Sequence, residues 1–331
     1  MRMTMGLVLS SLLLFVLAGM AWAAAQESGG LFPVKTKGSV GFIDRTGKIV
    51  IKPQFERGRE FAKDLGRVQL KGKWGFIDKT AKIVIPPQFD RLFDFSDSRA
   101  LVLVGEKYGF IDPSGKMVIK PQFDNAGNFS EGLALVQVGD YYGFIDPSGK
   151  MAIKPQFDNA WSFAEGLSVV RPKDLWGYVD KSGKMAIKAQ FDLAGSFSEG
   201  LAAVKAGDKY GFIDQTGKFV IKAQYDYAGS FSEGLASVGI AEQYGFIDKT
   251  GKVMIKPQFE DAEEFSEGLA KIKMGEKWGY VDKTGKVVIK PQFDEAENFS
   301  GGLAQVSVGE EDDMETGYVD KTGKYVWQPS K

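Results

Sequence analysis

A glycine followed by an aromatic residue, a β-branched residue and an aspartate occurs nine times in this chain, at Gly41, Gly75, Gly109, Gly143, Gly177, Gly211, Gly245, Gly279 and Gly317. Neighbouring copies stand 34 residues apart as far as Gly279, and the last interval is 38. A fixed period of this length means one supersecondary unit, too small to bury its own apolar face, stacked on copies of itself. The unit is therefore the object to read, not the chain.

Residues 201–233, LAAVKAGDKYGFIDQTGKFVIKAQYDYAGSFSE, show its parts. LAAVKA is a first strand, and Gly207-Asp208 is a two-residue hairpin turn. KYGFID is a second strand, whose alternation puts Tyr210, Phe212 and Asp214 on one face. Gln215-Thr216-Gly217-Lys218 fits a three-residue loop with a left-handed glycine. FVIKAQY is a third strand. The rest follows the pattern Phe-Asp-x-Ala-x-x-Phe-Ser-Glu-Gly and reads as a connector anchored by its two aromatics and its alanine.

The aspartate that closes the second strand, Asp44 in the first unit and Asp320 in the last, forms a carboxylate ladder. An aspartate at a turn start bonds the backbone two residues on, so a structural role is expected, not a metal or catalytic one. The loop glycine that follows is replaced once, by Ala81. Alanine at positive φ costs about 1 kcal/mol, so that hairpin is expected to be strained or to use another turn type. The third strand usually ends in Lys-Pro-Gln-Phe; proline has no N–H for a ladder, which places this end at a sheet edge or outside the pairing. Glu131, Glu165, Glu199, Glu233 and Glu267 form a second ladder, expected to be solvated or paired with lysine.

The expected fold is all-β, a tandem array of about nine three-stranded antiparallel meanders. Leu31 lies ten residues before Gly41, as Leu201 does before Gly211, and the chain stops just after a third strand, so whole units run from end to end. With no permuted strand to lock a ring, an open, solenoid-like superhelix is expected; a closed propeller-like ring is the alternative. The organisation reads as a signal peptide over residues 1–25, a short linker over 26–30, and a repeat domain over 31–331 with units starting near 31, 65, 99, 133, 167, 201, 235, 269 and 303.

Arg2, an apolar run over residues 7–17 and small-x-small sites at 21–25 make up the signal. The expected destination is secreted or periplasmic, without a later membrane span. With no Cys, neither a lipid anchor on cysteine nor a disulfide is available. With no Cys and no His, thiol nucleophiles, Ser-His-Asp arrangements and the usual zinc and haem ligands are excluded. A net charge of −1 gives no reason to expect a nucleic-acid partner.

The pattern KWGFIDKTGKxVIKPQF, in its nearest forms at residues 73–89 and 277–293, resembles the bacterial WG-repeat family, also called KWG repeats. The match extends over essentially the whole of residues 31–331. The chain departs from it with Tyr before the glycine at Tyr108, Tyr142, Tyr210 and Tyr244, and with Val40 and Thr316 at the ends. The resemblance implies a repeat scaffold and transfers no catalytic residue.

Three functions follow for testing. The first is an exported, non-enzymatic scaffold contacting a protein or the cell envelope, without catalytic residue, metal or cofactor. Between units the connector varies most after its alanine: Trp161 stands there once, as a partner anchor or as packing on the next unit, and Glu263-Glu264 once. The second is a carbohydrate- or peptidoglycan-binding module, from the ladder Trp74, Tyr108, Tyr142, Trp176, Tyr210, Tyr244 and Trp278, although each ring shares a face with a core aromatic. The third is a carboxylate-based glycan hydrolase. The one irregular insertion, GEEDDMET at residues 309–316, offers Glu310, Glu311, Asp312, Asp313 and Glu315 for a cation or a basic partner, or as a solvated tip.

Overall fold

The computed structural model describes residues 30–310 and 313–330, the side chains of residues 329 and 330 excepted. The expected signal peptide lies outside the described residues. Nine antiparallel sheets follow one another along the chain and close into a ring, a nine-bladed β-propeller. This corrects the expected open superhelix of three-stranded meanders on two counts.

The first count is the number of strands. Eight of the nine sheets have four, because the connector contributes one. In the fourth blade a connector strand, Asn125–Ser130, pairs with an inner strand, Leu133–Val138, followed by a middle strand, Tyr141–Ile145, and an outer strand, Met151–Phe157. In the fifth blade the connector strand is only Asn159–Ala160, opposite Arg171 and Val170. Two residues are too few to display an alternation, which is why the pattern alone reads as a loop. The first blade has three strands among the described residues, Phe32–Thr36, Ser39–Ile43 and Ile49–Phe55.

The repeat motif follows from one close approach. Between middle and outer strands, Trp74 pairs with Phe89 and Phe76 with Ile85, so the outer strand carries extra residues as a bulge. That bulge, Pro86-Pro87, arches over Gly75: a Cβ there would lie 2.4 Å from the Ile85 carbonyl oxygen and 2.7 Å from the Pro87 nitrogen. The glycine and the proline are two sides of one contact, and proline's missing N–H goes unneeded in the bulge.

The core lies between blades. Phe212, Ile221 and Tyr225 of the sixth blade pack with Ala228, Phe231, Val238 and Ile247 of the seventh. Phe212 and Phe231 meet with ring centroids 4.9 Å apart. Each such buried phenylalanine contributes roughly 1.5–3 kcal/mol, so the interfaces hold the array together. Two polar rungs reinforce them. The Ser198 hydroxyl donates to the Phe231 carbonyl at 2.6 Å, one blade on. The Glu199 carboxylate accepts the Gly234 N–H at 3.1 Å and pairs with Lys249 at 2.9 Å, both in the next blade. Glu199 sits at φ +53°; the strain of about 1 kcal/mol is offset by these bonds. Four of the five ladder glutamates thus pair with lysine, Glu165 faces Gln215 instead, and the ladder also clamps blade to blade.

The second count is closure. The loop glycine of each blade rests on the outer strand of the blade before it, as Gly115 does on Ile85. Gly47 of the first blade rests on the outer strand of the ninth as well, there against the Val326 backbone carbonyl. Phe32, Val34 and Ile43 share a cluster with Leu303 and Tyr318, the Phe32 and Tyr318 rings stand 5.5 Å apart, and the Tyr318 hydroxyl donates to the Pro33 carbonyl at 3.0 Å. Phe32 holds the position of Ala134 and Ala202 in other blades. It supplies at the seam the ring that a connector phenylalanine supplies elsewhere. Among the described residues, side chains therefore close the ring without an exchanged strand.

The Ser300 hydroxyl of the ninth blade donates to the Glu60 carboxylate of the second at 3.1 Å. Blades two apart can touch only near the axis, so the connector hairpins surround the axis and the outer strands form the circumference. There Ile49 and Val50 are 42% and 46% exposed.

The turn aspartates are occupied by their own loops. Asp44 Oδ1 accepts the Thr46 N–H at 2.8 Å and the Lys48 N–H at 3.1 Å. These bonds, led by that of the Thr46 hydroxyl, hold its carboxyl below the usual range. Ala81 adopts φ +68° and keeps the turn bonds of its glycine counterparts, its N–H donating to the Asp78 carbonyl at 3.0 Å. The turn type is unchanged and the residue is strained. Ala81→Gly is expected to gain about 0.5–1 kcal/mol, the relief of strain less the entropy glycine adds to the unfolded chain. A thermal melt showing a lower midpoint would contradict this.

Candidate functional site

A binding site on a repeat protein should be a departure from the repeat, and the sharpest such departure in packing is in the seventh blade. Its connector strand, Tyr227–Ala228, carries a tyrosine where other blades have Asn, Leu, Glu, Asp or Arg. Across from it the inner strand, Leu235–Ile240, carries Gly239, and the two are register partners. Gly239 sits under Tyr227 and the Tyr244 ring: an added Cβ would come 3.1 Å from Tyr227 Cβ and 3.5 Å from Tyr244 Cε1. Tyr227 then bridges two rings of the aromatic ladder, Tyr244 at 5.3 Å and Tyr210 at 6.4 Å between centroids. The result is an aromatic strip across the sixth and seventh blades. A cleft of about 370 Å³ opens beside it, lined by Asp226, Tyr227, Gly239, Ala241, Glu242 and Tyr244.

The eighth blade adds carboxylates to this strip. Its connector strand, Asp261–Ser266, contains Glu263 and Glu264. Burial pushes the Tyr227 hydroxyl upward, and the charges of Glu264, Asp261 and Glu263 add to the effect. Glu263 pairs with Lys271 at 3.0 Å. Lys271 also donates to the Ala296 carbonyl at 2.8 Å and lies 4.5 Å above the Trp278 ring. Burial raises the Glu264 carboxyl, Glu263 raises it further, and a bond from the Ser230 N–H of the seventh blade opposes them. Two sequence candidates, Glu263 and Glu264, thus stand within electrostatic reach of Tyr227. Tyr227 was not among the candidates; its signal was the pair of Tyr in the connector and Gly in a strand.

The other candidates lie elsewhere. Trp161 is half-buried in the fifth blade, edge-on to Trp176 at 6.4 Å between centroids. Glu310 is exposed, Glu315 opens the middle strand of the ninth blade, and Glu311 and Asp312 lie outside the described residues. Asp313 lines a cleft of about 430 Å³ at the seam with Lys35, Arg59, Gln305 and Tyr318. Among the described residues no group of three or more acidic side chains is placed to hold a metal ion. The aromatic ladder itself is half-buried, packed on the core by one edge, except Trp176, which is buried.

The sequence matches the family described as "WG containing repeat" in eight tandem copies, at residues 41–74, 74–108, 108–142, 142–174, 176–210, 210–240, 244–278 and 278–311. The chain belongs to the WG-repeat family. Most copies of the family's unit begin at one middle strand and run to the start of the next blade's middle strand, as 41–74 does, so each WG repeat straddles an interface. Among solved structures, a eukaryotic initiation factor is similar with a TM-score of 0.66 at 13% identity, over 92% of this chain and 96% of that one. Hsv2 of Kluyveromyces lactis gives 0.45 at 10% identity, over 72% and 96% of the two chains. The bacterial surface component PorZ of Porphyromonas gingivalis gives 0.32 at 11% identity, over 93% and 52%. At such identities the first likeness speaks to the fold alone. No curated protein matches.

Because its folded-state carboxyl is raised, Glu264 costs stability once ionised. Its contribution is favourable below the ordinary carboxylate range and is lost as pH rises through the raised value. Glu264→Gln keeps an acceptor for Ser230, so it is expected to raise the melting midpoint at pH 7. The difference from the parent should shrink towards pH 4, and a constant difference would contradict the assignment.

Proposed function

We propose that this WG-repeat propeller is an exported, non-enzymatic binding protein that takes a glycan of the cell envelope on the aromatic strip of blades six to eight. The observation that carries this reading is the Tyr210-Tyr227-Tyr244 array beside Asp226, Asp261, Glu263 and Glu264. Flat rings offer faces for the C–H side of a sugar, and carboxylates accept from its hydroxyls. The strip is one singular place on a regular ring, which suits recognition of a repeating polymer by a single contact segment. The reading modifies the plain scaffold: the regular blades position the strip.

Titration with soluble peptidoglycan fragments and with chito-oligosaccharides tests it. Tyr227→Ala is expected to weaken binding by about tenfold, in line with the loss of one stacked ring. Tyr141→Ala, at an exposed ring of the fourth blade, should leave it unchanged. Equal effects of both substitutions, or no heat with any glycan, would overturn the reading.

A further inference from the structure

The circumference carries a second regularity. On the exposed face of the outer strand, residues two apart read Lys48-Val50-Lys52 in the first blade and Lys252-Met254-Lys256 in the seventh, with Ile51 and Ile255 turned inward between them. The lysine pair recurs in seven blades; the second and ninth keep one of the two. None of these lysines takes part in any ion pair found among the described residues, whereas Lys181, Lys249, Lys283 and Lys321 do. Opposite charge nearby comes from the turn aspartates, such as Asp44, which feels Lys48 without forming an ion pair with it. In a chain of net charge −1, seven blades thus set two lysines outside any ion pair on the rim against one turn aspartate.

Lysine and proline on an open edge also discourage sheet-to-sheet pairing. That role does not account for what stands between the lysines. Ile83 and Val84, and Val253 and Met254, are 41–47% exposed. Exposed apolar side chains on an edge invite association; they do not discourage it. Apolar side chains between lysines instead match a lipid interface, where the chain ends enter the headgroup boundary and the ammonium groups stay at the phosphates. That the belt uses lysine and not arginine fits a diffuse anionic surface, not a bidentate phosphate site.

We propose that the outer strands form a docking belt for a phospholipid surface bearing anionic headgroups. A flat bilayer meets only the blades turned towards it, and because the belt runs round the ring, any side serves. The connector face then stays clear of the membrane and open to its own ligand.

Sedimentation of the full chain with phosphatidylcholine vesicles, with and without about one third phosphatidylglycerol, tests the belt. Binding is expected only with the anionic lipid, and is expected to fall as salt rises. Glutamine in place of the lysines at 52, 120, 154, 188, 222, 256 and 290 should weaken partition strongly, at about fivefold for each lysine taken out of the contact. Serine at Val50, Val84, Val118, Val220, Met254 and Val288 should weaken it at least about tenfold with every lysine in place. Partition untouched by the serine set, or retention on immobilised heparin without vesicle binding, would overturn the proposal in favour of a soluble polyanion surface. Absence of any anionic preference would overturn it outright. Tyr227→Ala should leave vesicle binding unchanged, which separates this outcome from the glycan reading.

Discussion

The packing of each connector phenylalanine onto the middle-strand aromatic of the blade before it is the contact on which the molecule depends. Phe129 on Phe110 and Phe163 on Phe144, at 4.9 and 4.8 Å between centroids, are two copies of it. A blade of short strands has one apolar face and too little mass to cover it. The ring on the connector is the cover, and it belongs to the next blade. The serine and glutamate that follow it on the chain bond the other way, to the next blade, as Ser130 does to Phe163 and Glu131 to Gly166, so a few consecutive residues tie each blade to both neighbours.

A ring must satisfy that contact once more than an open array does. The first blade is described without a connector strand, yet its interface with the ninth is filled. Phe32 replaces an alanine and meets Tyr318, Gly47 rests on Val326, and Glu60 takes the Ser300 hydroxyl that elsewhere serves a connector carbonyl. Of these, Phe32 is the change at a position that most other units fill with alanine. These contacts make sense only if the two ends of the array face each other.

Much of this was legible in the residues. The three longer strands, the turn aspartate, the loop glycine and the proline outside the ladder follow from alternation and turn chemistry. The fourth strand was not: in five blades it is two residues long, like Asn159–Ala160, and where it runs to six, as in Asn125–Ser130, an irregularity between Ala126 and Phe129 breaks the alternation. Closure was also hidden: phase at the ends argues against a permuted strand and says nothing about side chains. Phe32 in an alanine position was the available sign. At the candidate site, Glu263 and Glu264 stood out as variable connector residues. Tyr227 did not, since its meaning depends on Gly239 across the sheet and on Tyr244 beside it.

The same architecture separates two surfaces. Connector segments vary from blade to blade, and one of them sets Tyr227 between the middle-strand rings Tyr210 and Tyr244, while outer strands repeat their lysines with little change. Both depend on the ring, and closure is most directly tested by hydrogen exchange on Phe32→Ala. If side chains at the seam hold the ring shut, exchange should quicken at both flanks of the seam, in the strands Phe32–Thr36 and Leu303–Val308, which lie at opposite ends of the chain. Faster exchange confined to the first blade, with the ninth unchanged, would mean the ends do not meet and would contradict the account.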